Sequence, residues 1–88
     1  MSNRLEMLSF ALRHPENWPP GFEWNYHDCH HCAMGLSKAL WPTCLVEPSA
    51  EEMTRVFGIP DNDAKNIFLG GRYGTTPEAI ADKLDEFA

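Results

Sequence analysis

Proline and glycine interrupt this chain of 88 residues at short intervals, and their positions restrict it to short helices. Pro15 and Pro42 each end an amphipathic segment, because proline cannot donate the helical backbone hydrogen bond. Gly58 and the pair Gly70-Gly71 end two more. We therefore predict an all-α fold, a compact bundle of about five short helices, in a single domain spanning residues 1–88.

The first predicted helix runs to about Arg13 and is capped by Ser2 or Asn3. Its apolar residues recur at i, i+3 and i+7, which places them on one face, and two further apolar residues widen that face. These candidates for the core are Leu5, Leu8, Leu12, Phe10 and Ala11.

Asp28 is the predicted cap of a second helix at residues 29–40. Gly35 lies within it and would let a neighbouring helix approach closely. Residues 15–28 form a loop before it. Aromatic and polar residues alternate at 22–26, so a short extended aromatic segment is compatible with the pattern there.

The last three helices are predicted from their caps. Ser49 and Glu52 make a capping box before a third helix at about residues 50–57. Asp61 begins a fourth helix. Thr76 caps a fifth, since it precedes a proline at the first helical position, where proline is best tolerated.

Thirteen acidic residues outnumber seven basic ones and give a net charge of −6. Nine of the acids fall in residues 45–88, which would repel a phosphate backbone, so direct nucleic-acid binding is disfavoured. The same charge suits docking onto a basic surface of a larger protein, or serves only solubility. The sequence contains no run of about 18 apolar residues and no secretory signal, so we predict a cytoplasmic protein without a membrane span.

Residues 27–32 contain the densest group of potential metal ligands. Cys29 and Cys32 have the Cys-x-x-Cys spacing of zinc sites, and His27 and His30 are the other candidate ligands. A second such pair is lacking, so we favour the interpretation that the cysteines are ordinary helix-start residues, buried as small apolar side chains. A thiol activated at a helix start is a third. No orienting partner for a nucleophile is evident, and we predict no catalytic residue.

Two surfaces are candidates for partner binding. The first is the aromatic loop, with Trp18 and Trp24. The second is the acidic face of the last helix, with Glu78, Asp82, Asp85 and Glu86. Tryptophan suits the first role because its large ring binds apolar surface while its N–H finds a polar partner. Carboxylates on a helix are also commonly a solvated face.

Several short motifs, taken together, resemble a loosely related group of small helical proteins from bacteria, phages and other mobile elements. The motifs follow one another in the same order and at about the same spacing over residues 22–87. This chain departs from the group between the two cysteines, where it has His30-His31. The resemblance implies a helical fold and a genomic setting, but no activity. The motifs are Phe22-Glu-Trp24, Cys29-x-x-Cys32-Ala33-x-Gly35-Leu36, Phe57-Gly58-Ile59 and Thr76-Pro77-Glu78.

Two functional hypotheses follow. The first is a small acidic protein-binding module that acts as an adaptor or inhibitor of a larger protein in phage–host or mobile-element conflict. The alternative is a zinc-binding or thiol-responsive module that uses residues 27–32. In neither case do we expect an enzyme.

Overall fold

The computed structural model describes residues 3–87, and helices supply all of the regular structure in that range. Short 3-10 turns at Pro15–Asn17 and Asp85–Phe87 follow the first and last helices. The prediction of an all-α fold is confirmed, and residues 22–25 have no regular secondary structure. The five helices are α1 (Asn3–Arg13), α2 (Ala33–Leu40), α3 (Ala50–Phe57), α4 (Asp61–Phe68) and α5 (Pro77–Leu84).

The α1 and α5 helices pack along one another more extensively than any other pair. Their buried stripes form one side of the core, from Leu5, Leu8, Leu12, Ile80, Ala81 and Leu84. The predicted caps of α1 cannot be compared, because Ser2 and the side chain of Asn3 lie outside the described residues. Phe10 was expected to widen the core stripe, and this prediction was wrong. It lies about 200° around the helix from Leu8 and points outward.

The α3 and α4 helices form the second most extensive pair. The Ser49 hydroxyl accepts a hydrogen bond from the Glu52 amide at 3.3 Å, as a capping box requires. The Glu52 carboxylate does not complete the box. It accepts the Val46 amide at 2.7 Å and pairs with Arg55 at 2.6 Å. Gly58 ends α3 with a φ of 73°, in the left-handed region.

The α2 helix begins at Ala33, four residues later than predicted. Asp28 was expected to cap it, but its carboxylate instead accepts the His30 amide at 2.9 Å in a local turn. Cys32 occupies the cap position with extended backbone geometry. Asparagine and aspartate favour such turns because their side chains hydrogen-bond to the backbone two residues on.

The radius of gyration is 11.3 Å, close to the roughly 12 Å typical of a compact chain of this length. Within residues 3–87, no helix has both the length and the apolar character to cross a membrane.

Candidate functional site

Two consecutive turns position the segment that contains the cysteines and histidines. The Asp28 amide donates to the Asn25 carbonyl at 3.1 Å, and the His31 amide donates to the Asp28 carbonyl at 2.8 Å. Side-chain oxygens of Asn25 and Asp28 accept the amides of His27 and His30. The bond from the Asn25 amide to the His31 carbonyl, 2.9 Å, closes the double turn. Residues 25–31 are therefore locally specified by two residues that favour turns.

Gly35 sets how closely this double turn approaches α2. A methyl group on Gly35 would lie 2.2 Å from the carbonyl carbon and oxygen of His30, well inside contact distance. We had expected the glycine to admit a neighbouring helix. The structure shows that it admits the turn backbone instead, because a side chain there would push the turn off α2.

Tyr26 attaches the double turn to the end of α4. Its ring is buried, and its hydroxyl donates to the Ile67 carbonyl at 2.6 Å. The same oxygen accepts the Gly71 amide at 2.8 Å. Burial raises the pKa of Tyr26, so the hydroxyl keeps the proton that it donates. The turn is thus fixed to α2 through Gly35 and to the end of α4 through Tyr26.

The predicted metal ligands are distributed over different environments. Cys29, His27 and His30 are exposed, whereas Cys32 has 1% of its surface exposed. The Cys32 thiol lies 3.7 Å from the Cys29 carbonyl oxygen, a weak hydrogen bond. Over residues 3–87, no three His, Cys, Asp or Glu side chains come together in a group that could hold a metal ion.

The Cys32 thiol lies at the start of α2, where backbone N–H groups favour a thiolate. Burial has the larger effect and raises the pKa of Cys32, while the amides of Gly35 and Met34 lower it less. The thiol is therefore protonated at neutral pH. That state suits a small buried apolar residue rather than a nucleophile.

Both tryptophans of the predicted docking loop are half-buried, and their indole N–H groups bond within the protein. Trp18 donates to the Ala11 carbonyl at 2.7 Å, and Trp24 donates to the Thr75 carbonyl at 2.9 Å. The two rings stack with centroids 6.1 Å apart. The aromatic loop is therefore attached to α1 at one end and to the residues before α5 at the other.

A cleft of about 620 Å³ opens where the double turn faces the start of α5. Trp24 and two acidic residues, Glu23 and Asp28, line it. One Asp28 oxygen is engaged by the His30 amide. His31 also lines the cleft, and its Nδ1 lies 3.0 Å from the Glu23 carbonyl oxygen. The remaining lining residues are Asn25, Tyr26, His27 and Thr75–Pro77.

Internal ion pairs occupy most of the predicted acidic face. Arg13 lies 2.6 Å from Asp82 and 2.8 Å from Asp85, and it bridges α1 to the end of α5. Hydrogen bonds from the Ser9 hydroxyl and Arg13 lower the pKa of Asp85, which keeps this carboxylate charged. Glu86 pairs with Lys83 at 3.0 Å. Glu78 is exposed and has no ion pair within the described range.

A second concavity, of about 580 Å³, lies between the outer face of α1 and the end of α2. Met7 and Phe10 line it with 51% and 57% of their surfaces exposed. Leu40 and Trp41 form the opposite wall, and Glu6 is the only charged lining residue. We call this the α1–α2 groove. No pattern in the sequence predicts this groove.

The sequence pattern does not predict the structural roles of three further residues. Tyr26 was assigned only to an aromatic loop, because its partners are 41 and 45 residues away. Arg13 was treated as a helix end, although it holds two carboxylates some 70 residues later. Phe10 had a detectable signal, since it falls off the stripe that the leucines define.

No protein-family model, no curated protein and no solved structure matches this chain.

Proposed function

We propose that this protein is a small acidic protein-binding module, an adaptor or inhibitor, that receives a basic side chain of a larger partner in the cleft beside Trp24. The observation that carries the proposal is the presence of one aromatic residue, Trp24, and two acidic residues, Glu23 and Asp28, in the lining of one cleft. Guanidinium and ammonium groups bind over tryptophan faces and form charge-assisted hydrogen bonds with carboxylates.

The charge of the whole chain supports a basic partner. A net charge of −6 raises the local concentration of cationic surfaces and speeds their encounter. Glu78 follows Pro77, a residue of the cleft wall, and its side chain is exposed. Trp24 is the one residue of the two surfaces considered from sequence that lines the cleft.

The other acids of the last helix fit a structural role better than a docking role. Asp82 and Asp85 hold Arg13, so reversing their charge would weaken the contact between α1 and α5. A loss of partner binding after such a change would therefore reflect a weakened fold and not the loss of a docking contact. The cleft acids are better targets, because neither carboxylate takes part in an ion pair within residues 3–87.

The direct test is an NMR titration of isotope-labelled protein with two short peptides. One peptide alternates arginine with glycine, and the other alternates glutamate with glycine. We expect the arginine peptide to shift the Trp24 indole and Thr75 amide signals saturably, and the glutamate peptide to leave them unchanged. Equal responses to both peptides, or shifts spread evenly over the surface, would contradict the proposal.

A matched pair of variants distinguishes binding in the cleft from attraction to the negative charge of the whole protein. Glu23→Gln/Asp28→Asn removes both cleft charges and keeps an oxygen for the His30 amide. Glu47→Gln/Glu51→Gln removes two exposed carboxylates outside the cleft. We expect the first variant to weaken peptide binding at least about tenfold, and the second to change it little. The same pair, used to capture proteins from cell extract, would then discriminate a specific partner from background.

A further inference from the structure

His31 orients the peptide groups on both sides of Trp24. The Asn25 amide donates to the His31 carbonyl at 2.9 Å, and the Glu23 carbonyl oxygen lies 3.0 Å from His31 Nδ1. All peptide bonds within residues 3–87 are trans, so the C=O and the N–H of each planar peptide group point in opposite directions. The amide and the carbonyl of Trp24 therefore both point away from His31.

These two backbone groups have the arrangement of a strand edge that lacks a partner. In a β-strand, the N–H and the C=O of one residue face the same side, where a neighbouring strand can pair with both. Residues 22–25 pair with no second strand. Within residues 3–87, neither the amide nor the carbonyl of Trp24 forms a hydrogen bond. Such groups are satisfied by water or by a ligand. We call the two groups the Trp24 edge.

The Trp24 edge is held in place before any partner arrives. The Trp24 indole N–H donates to the Thr75 carbonyl at 2.9 Å, and the ring stacks on Trp18 with centroids 6.1 Å apart. The bonds to His31 fix the backbone on either side. A segment that is already ordered loses less conformational entropy when a partner pairs with it.

The charge of the cleft lining selects the occupant of this edge. Trp24 lies in the lining between two acidic residues, Glu23 and Asp28, and the lining contains no lysine or arginine. A second copy that paired here would bring the same two acidic residues of each chain together. A basic segment instead meets complementary charge.

We propose that the partner binds this cleft through an extended peptide segment, which pairs its backbone with the Trp24 edge and places an arginine side chain beside Glu23 and Asp28. This inference rests on the proposed function, because it specifies how the partner presents its basic side chain. In strand addition of this kind, main-chain hydrogen bonds give affinity and side chains give selectivity. A helix could present the arginine but could not pair with the edge, since its own backbone groups are already bonded.

Peptides with methylated backbone amides test the pairing. The parent is a short, capped, extended peptide with one central arginine. Two isomers have methyl groups on alternate amides, in complementary sets, and all three peptides have the same charge. Only every second amide of an extended peptide faces a given edge. In NMR titrations we therefore expect one isomer to bind at least about tenfold more weakly than the parent, and the other to bind like it. Equal affinity of the two isomers would overturn the strand pairing.

A helical peptide with one arginine separates this inference from the proposed function. We expect it to bind at least about tenfold more weakly than the extended parent. The parent should also slow hydrogen exchange of the Trp24 amide, while exchange of the His30 amide, which is already bonded to Asp28, stays unchanged. Equal binding of both peptides, with unchanged exchange at Trp24, would overturn the strand pairing and leave arginine binding in the cleft intact. If neither peptide shifts the Trp24 indole and Thr75 amide signals, the proposed function fails, and this inference fails with it.

Discussion

The Tyr26 hydroxyl lies 2.6 Å from the Ile67 carbonyl oxygen and so joins the double turn to the last residues of α4. The two residues are 41 positions apart, and the bond is buried. It satisfies a carbonyl group near the end of a helix, where intrahelical partners run out. The Gly71 amide bonds to the same hydroxyl, so one side chain satisfies two backbone groups.

Tyr26→Phe removes both bonds without changing the ring. We expect the free energy of unfolding to fall by about 1–3 kcal/mol, because the Ile67 carbonyl and the Gly71 amide lose their partner. Urea denaturation followed by circular dichroism measures this loss. Tyr73→Phe is the control, since no hydrogen bond to its hydroxyl occurs within residues 3–87. Equal stability of the two variants would show that the Tyr26 bonds contribute nothing.

Gly35→Ala should destabilise the protein, against the ordinary preference of helices. Alanine usually stabilises a helix interior by about 1 kcal/mol relative to glycine. Here the new methyl group would overlap the His30 backbone, and we expect a net loss of about 1–3 kcal/mol as the turn is displaced. Gly70→Ala is the control, because its methyl group would meet its nearest neighbour at 3.5 Å, an ordinary contact. A melting temperature of Gly35→Ala equal to or above that of the parent protein would disprove the close approach of the His30 backbone to Gly35.

The cysteines should differ sharply in reactivity. Cys29 is exposed, whereas Cys32 is buried with a raised pKa, so iodoacetamide should modify Cys29 first and Cys32 only after unfolding. Mass spectrometry of peptides from timed samples measures both rates. Fast modification of Cys32 in the folded protein would instead favour the thiol-responsive alternative.

The zinc hypothesis has its own measurement. If residues 27–32 held a structural metal, a strong chelator would lower the melting temperature and release the ion. Because no three His, Cys, Asp or Glu side chains within residues 3–87 come together in a group that could hold a metal ion, we expect an unchanged melting temperature and no released zinc in native mass spectrometry. Loss of the folded structure on chelation would instead support the zinc hypothesis.

The ion pair of Glu52 and Arg55 predicts a specific loss of stability in acid. The hydrogen bonds from Arg55, followed by that from the Val46 amide, lower the pKa of Glu52 from 4.5 to about 2. A lowered pKa in the folded state means that the contribution is present above pH 4.5 and disappears as the pH falls through about 2.

Melting temperatures from neutral pH to pH 2 check this prediction. The difference between the parent protein and Glu52→Gln should be constant above pH 4.5 and shrink towards pH 2. Glu51→Gln is the control, since it removes a neighbouring exposed carboxylate without an ion pair in the described range. A difference that is independent of pH would show that Glu52 acts through its shape and not through its charge.

The helices that the sequence predicts well are those whose boundaries depend on adjacent residues. The third helix at 50–57, the start of α4 at Asp61 and the Thr76 cap of α5 all agree with the structure. Each depends on capping groups or helix formers within three or four positions. Such local interactions form independently of the tertiary contacts made by the rest of the chain.

The wrong or missed predictions have two origins, one local and one long-range. Asp28 is equally suited to a cap and to a turn, and the neighbouring Asn25 and the closing bond to His31 decide for the turn. The partners of Tyr26, Arg13 and Trp24 are about 40 to 70 residues distant. Spacing rules carry no information over such separations. The cleft and the groove were therefore visible only in three dimensions.

The packing of α1 against α5 also sets the order of events during synthesis. The leucine stripe of α1 leaves the ribosome before α5 does, because Ile80 and Leu84 follow it by about 70 residues in the chain. Until then this stripe lacks the cover that α5 provides and is a target for chaperones or aggregation. Ser9 and Ala81, joined at 3.4 Å in the finished protein, close a loop of 72 residues. Folding of this molecule can therefore be completed only after translation has passed α5.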